Sequence, residues 1–481
     1  MTLEHQNLSD QLRFLEALGS RLTGSPAHKA LIEDVAARLS ELGLEVQRDR
    51  HQFARWDVPY NHEHLRLTVA GADIEISSAY PYSGTTGAAG VTGKLRLLSG
   101  LRRNCWSAAR GAIAVVEVPH VAVPYDLLVG EWDRNRSSPP ARHPVFSVGL
   151  FGPNLDQAHL AGVKSVVLVW RGLTVGNALR QYVPFIEPYH DLPAVWVAGE
   201  AGERVLAAAR AGHEALLVLN AEITPICETE TIWAMSDGEI RDESILIVTH
   251  SDGTNVVEEN GHIALLELAR AAASRPHRRK MVFVFTTGHL RIPAVSRHGQ
   301  ATSGWLDAHP ELWLGGKAQA RAVAGLVIEH LGAVEFAEDI SNGSYGPTGK
   351  PEPETLYATT PELRSVVMRE WTGNDPEPTH VVKPGPLIHF GEGEPLFQRN
   401  IPAVALVTGP QYLLAERAGE LVDIDMMRRQ IDSSLRLLWR FDEITSFGRV
   451  VQPTIWQKAV ALIRVLIFRL RVRLQGQGSS Q

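Results

Sequence analysis

"SILIVTHSDGTNVVEENGHIALLELARA", residues 244–271, joins one apolar run to another through a loop that holds a His, an Asp and two Glu. The first run, "SILIV", has the β-branched density of a strand buried on both faces. The second, "HIALLELARA", spaces its apolar residues as a buried helix does. A buried strand feeding a buried helix is half of a β–α–β unit. In parallel sheets, ligands bind beyond the carboxyl ends of the strands. His250, Asp252, Glu258 and Glu259 therefore stand either at the lip of a site or in an ordinary solvated loop. In the second case Asp252 caps the next helix, and the two Glu complement its macrodipole.

The same alternation continues downstream. Apolar "KMVFVFTT" is followed by a helical region near "WLDAHPELW", and strand "ARAVAGLVIEHLG" by helix "PELRSVVMREW". Strand "IPAVALVTG" then precedes helix "DIDMMRRQIDSSLRLLWRF". This predicts an α/β fold, a mostly parallel mixed sheet with helices on both faces. Three strand ends carry ionisable groups: His250 and Asp252, then His289, then Glu329 with His330. One such end is commonplace; three with the same chemistry point to a shared site. Glu329 and His330 also admit the plainer reading of a buried acid neutralised by its neighbour.

Upstream, residues 8–45 read as two amphipathic helices broken at "RLTGSPAHK", and "LRLTVAG" with "DIEISSAY" as a hairpin. From residue 86 to 226, short β-rich runs alternate with Gly/Pro turns around one clear helix, "AGERVLAAARAG". That texture predicts a small strand-rich insert. The expected division is 1–85, then the insert 86–226, the main α/β domain 227–450, and a basic apolar segment with its tail, 451–481.

Composition sets the outer limits. A chain of 481 residues exceeds one simple core, and 44% hydrophobic with 21% charged residues is ordinary globular composition. A net charge of −7 offers no chain-wide field for phosphates, which argues against a nucleic-acid binder. Cys105 and Cys227 cannot build a disulfide framework. The opening "MTLEHQNLSDQLRFLEALG" lacks the apolar core of a secretory signal, so a cytoplasmic location is expected. Residues 456–474, "WQKAVALIRVLIFRLRVRL", carry too many cations to span a bilayer. They either make weak contact with an anionic membrane surface or pack on the body ahead of a "QGQGSSQ" tail.

These residues resemble the zinc-dependent aminopeptidases, a family that includes glutamate carboxypeptidase, glutaminyl cyclase and the catalytically silent transferrin receptor. The carriers are the opening "LGSRLTGSPAHKALIEDVAARLSELGLEV", "SILIVTHSDG" with its His-x-Asp, "NGHIALLELARA" and "RNIPAVALVTG". The stretches "AHLAGVKSVVLVW" and "LPAVWVAGEAGERVLAAARAG" are similar to the family's protease-associated insert. The resemblance implies an amide-bond hydrolase with a peptide or small amide substrate, and it allows a homodimer.

It also implies a zinc site with departures. His250 matches the first metal ligand and Asp252 the carboxylate that orients it. The bridging Asp falls on Val257, and a one-residue slip puts Glu258 there, with Glu259 beside it as a catalytic acid or base. His289 stands at or next to the position of the general base, where the family has a Glu pair. Glu329 replaces an Asp ligand, and His330 follows it. The last His is missing after "ALVTG", where "PQYLLAE" offers only Tyr412 and Glu416. "LIHFGEGEPLF" supplies His389, Glu392 and Glu394 as candidate replacements. The expectation is one ion held by His250, Glu258 and Glu329, with His289 joining it or acting as a metal-free acid or base. The alternatives are a silent peptide- or protein-binding member and a glutaminyl cyclase-like acyl-transfer enzyme.

Overall fold

Ile245 and Ile247 face one side of the strand Ile240–His250, Leu246 and Val248 face the other, and all four are buried. A strand with no solvated face must lie inside a sheet covered on both sides. The computed structural model, which describes residues 5–99, 105–133, 139–185, 188–290, 300–317, 319–377 and 379–478, places it there.

The main sheet has ten strands. From one edge the order is Gln47–Asp57, Glu222–Ser236, Arg279–Thr286, Ile240–His250, Gln319–Glu329 and Ala403–Val407. It continues through Leu356–Ala358, Val381–Pro384 and Val129–Glu131, while Leu314–Gly316 pairs with Gln319–Glu329 off that path. The four strands from Arg279–Thr286 to Ala403–Val407 are parallel. Flanking antiparallel pairs make the sheet mixed.

One face is covered by the helices His5–Leu18, Pro26–Glu41, Gly261–Ala273 and Ile424–Glu443, whose Leu15, Leu31, Leu265 and Leu437 share a core with Ile247 and Phe283. Trp305 and Leu306 of the helix Thr302–Ala308 cover the other. The helix Gly261–Ala273 starts against the strand tips because its first residue has no side chain: a Cβ there would run into Ile328 O and Thr249 Oγ1.

A second, eight-stranded sheet takes its strands from between Leu65 and Leu219. It begins before residue 86 because the hairpin Leu65–Val69/Ala72–Ile74 pairs onto Glu214–Leu219. The helix Gly199–Ala211 packs on it. The segment 121–131 lends Val129–Glu131 to the edge of the main sheet, so the two sheets are joined. Cys105 and Cys227 are both free thiols. Among the described residues no helix is long and apolar enough to cross a membrane.

Candidate functional site

Register brings the chemistry to one level. His250 lies opposite Thr286, and Glu329 opposite Val407, so the carboxyl tips of the four parallel strands end together. The residues just beyond them, His289, His330 and Thr408, complete the row. All the ionisable groups there are buried, so loss of solvent first, and local partners after it, set the order of their protons.

Two overlapping triplets form, each with ligand atoms within 4.8 Å of one another: His250 with Glu329 and His330, and His250 with Glu258 and His289. In the first triplet both rings are fixed by carbonyls. His250 Nδ1 donates to Asp252 O at 2.9 Å, and His330 Nδ1 to Thr408 O at 2.6 Å. That places the proton on Nδ1 and leaves the Nε2 lone pair free. Neither Nε2 has a hydrogen-bond partner, and neither does Glu329 Oε2 or Glu258 Oε1. Burial holds His330 at about 3 and His250 well below the ordinary value, so both rings are neutral. Burial pushes Glu329 up to about 8 and Glu258 well above the usual range.

The backbone is arranged around these atoms. His330 adopts φ 59°, the left-handed region that a residue with a Cβ enters at a cost. Glu329 Oε1 accepts the Glu392 N–H at 2.6 Å. The neighbouring Gly391, at φ 71°, leaves room for that carboxylate, because a Cβ would stand 2.5 Å from Oε2.

His289 is different. Burial alone would lower it, but its Nδ1 bonds Glu392 Oε1 at 2.7 Å, with Glu258 and Glu329 nearby, and the balance lifts it to about 9. It is an imidazolium stacked on the neutral His250 ring, centroids 3.8 Å apart, with Nε2 at 3.8 Å from Glu258 Oε1. Glu392 is held by the Ala301 and Thr302 N–H groups at 3.2 and 2.7 Å. Against the cost of burial, His289 and Thr302 keep it below its ordinary value.

The remaining sequence candidates take other places. It is the backbone carbonyl of Asp252 that orients His250. The Asp252 carboxylate accepts Thr23 Oγ1 at 2.5 Å and the N–H groups of Gly288 and His289, fixing the loop that carries His289. Glu259 points from the triplets into a buried ion pair with Arg21. Val257 is wholly buried in the helix-covered core. Glu258 and Glu329 fall in separate triplets, and it is His330 that accompanies Glu329. His389 stacks on Tyr357 with centroids 4.2 Å apart, and it and Glu394 belong to neither triplet.

Several residues here carry no mark in the sequence. Arg21, Thr23 and His28 come from the break "RLTGSPAHK". A two-way backbone bridge joins Arg21 to Gly253, and His28 Nε2 meets Ser251 Oγ at 3.0 Å. His143 caps the helix Pro144–Phe151 by accepting the Val145 N–H at 3.1 Å, and its Nε2 is buried without a partner. Phe185 stacks on His289. A His before a Pro is the nearest thing to a signal for His143.

A parallel strand core, helices on both faces and a second β-rich sheet together make the zinc aminopeptidase-like α/β fold. Solved structures bear this out. The chain is similar to an aminopeptidase from Aneurinibacillus sp., with TM-score 0.60 and 13% identity over 94% of this chain and 96% of that one. A zinc aminopeptidase from Bacillus subtilis gives TM-score 0.62 and 15% identity over 93% and 98%. A peptidase precursor from Shewanella amazonensis gives TM-score 0.61 and 14% identity over 94% and 99%. No protein-family model and no curated protein sequence matches the chain.

Proposed function

We propose that this protein is a peptidase-like hydrolase that cleaves an amide bond of a peptide or an N-acyl amino acid, with a single zinc ion at a reduced site. The observation that carries the reading is the first triplet. Two imidazole Nε2 atoms and a carboxylate oxygen converge in a buried place, lack other partners, and have their ring tautomers set by carbonyls. Two nitrogens and one carboxylate oxygen are a three-ligand set suited to catalytic zinc. A second ion finds less: the resemblance puts its bridging ligand at Val257, which is buried in the helix-covered core and offers no ligand atom, and His289 already places a positive charge beside Glu258.

His250, Glu329 and His330 are the proposed ligands. Zinc bound there supplies Lewis-acid polarisation of a carbonyl and a lowered pKa for water. Glu258 is the proton carrier. Its Oε2 accepts the Thr254 N–H at 2.8 Å, which fixes the carboxyl and turns Oε1 toward His250 and His289. Burial raises the proton affinity of Glu258, which suits its carboxylate to take a proton from the attacking water and return it to the leaving amine. His289, clamped by Glu392, offers Nε2–H to charge developing on a carbonyl oxygen. Asp252 and Arg21 are positioning residues, one for the His289 loop and one for Glu259.

A second reading has its own support. The His289 imidazolium pairs with Glu392 while burial holds Glu258 and Glu329 toward their protonated forms, so the cluster balances its charge without any ion, as a silent, binding member of the fold would require. A panel of aminoacyl and N-acyl amide substrates separates the two. The hydrolase reading expects turnover that a chelator abolishes and added Zn²⁺ restores. Turnover indifferent to chelator, or none with zinc present, contradicts it.

A further inference from the structure

We propose that the helix Ile455–Gly478 seats this protein on an anionic lipid surface. The inference is independent of the site at the strand tips. At about 100° per residue, Ala461, Val465, Phe468 and Val472 fall on one seam. That seam faces the body: Ala461 is buried, while Phe468 and Val472 pack on two of the hydrophobic clusters. Arg464 adds an ion pair to Asp126 at 2.5 Å.

The opposite side is the unusual one. Trp456, Ile463, Leu466, Ile467, Leu470 and Leu474 form a continuous apolar ridge directed away from the body, between 45% and 77% exposed. A helix that merely packs on a soluble domain shows the reverse pattern, with its polar face outward. By the same angular count, Lys458, Arg469 and Arg473 flank the ridge on one side, and Arg464 and Arg471 on the other.

Charge complementarity selects the occupant. Residues 455–474 hold five cations and no acid, in a chain whose net charge is −7. A second copy of this helix would set the same cations against each other along both flanks of the ridge. An anionic lipid surface accepts the apolar ridge at its acyl boundary and the flanking cations at its phosphates. The helix is not apolar enough to cross the bilayer, so it lies in the interface plane.

The test is co-sedimentation of the full chain with vesicles. Binding is expected to phosphatidylcholine vesicles doped with phosphatidylglycerol, weakening as salt rises, and not to phosphatidylcholine alone. Arg471→Gln with Arg473→Gln should weaken it about 30-fold at low salt, at the typical contribution of a cation near such a surface. Ile463→Gln with Ile467→Gln and Leu470→Gln should abolish it. These side chains are exposed, so the folded far-UV spectrum should persist. No binding to the anionic vesicles, equal binding to neutral ones, or binding that neither variant changes overturns the proposal. So does a dimer in sedimentation velocity that the apolar triple variant dissociates, because a second copy then covers the ridge.

Discussion

Glu258→Gln is expected to lower kcat/KM for the best amide substrate by about 10²–10⁴-fold, the usual contribution of a positioned proton carrier, while bound metal stays in place. The second half of that result carries the mechanism. Read by resemblance alone, Glu258 is a metal ligand in the bridging position. In the structure its unpartnered Oε1 groups with His250 and His289, apart from the triplet that Glu329 and His330 complete. Glutamine keeps the length, and its carbonyl oxygen can still accept the Thr254 N–H. What it loses is the ability to take up and return a proton. Steady-state kinetics beside elemental analysis of the same preparation reads both quantities. Activity within twofold of the parent would end the assignment, and loss of metal in step with activity would make Glu258 a ligand instead.

The largest effect on stability is expected from Arg21→Ala, about 3–5 kcal/mol, the cost of leaving one charge of a buried pair without the other. Arg21 and Glu259 have side chains 1% and 0% exposed, and the guanidinium also donates from Nη1 to Leu15 O at 2.8 Å. Burial lifts Glu259 to about 7 against the pull of Arg21. An acid raised in the folded state stabilises folding below its unfolded value, and that benefit is lost as pH rises through the folded one. The deficit of the variant should therefore be largest above pH about 7 and fade below it, where buried Glu259 is protonated with or without Arg21. Arg21→Met combined with Glu259→Gln should recover much of the loss, because it removes both charges and keeps the volume. Denaturant midpoints at two pH values measure this. A midpoint unchanged in Arg21→Ala would show that the pair contributes nothing net.

The fold was readable because its evidence is local. "SILIV", "KMVFVF", "AGLVI" and "AVALV" are apolar on both faces, and only the inside of a covered parallel sheet satisfies such strands. Strand order then follows from helices alternating with them. The site was readable only where this rule reaches, at the strand tips, which is why His250, Glu258, His289, Glu329 and His330 could be named and why they do gather.

What surrounds them was not readable. Arg21 meets Glu259 across 238 residues of chain, and nothing in "SRLTG" distinguishes a buried arginine from a solvated one. Which atom of Asp252 orients His250 is a question of backbone direction, invisible to residue type. His330 turns its ring toward Glu329 through a left-handed backbone conformation that is usually left to glycine. Glu392 could be picked from "GEGEP" as one acid among several. That it clamps His289 needed the helix Thr302–Ala308 to present two N–H groups to it.

The most direct measurement is the metal content of the full chain, purified without chelator and dialysed against metal-free buffer, beside His330→Gly. Glycine accepts φ 59° at no cost, so this variant removes the imidazole while sparing the backbone. About one zinc per chain is expected in the parent, as three protein ligands and an open position allow, and little in the variant. A parent chain that stays metal-free even after incubation with Zn²⁺ would contradict it.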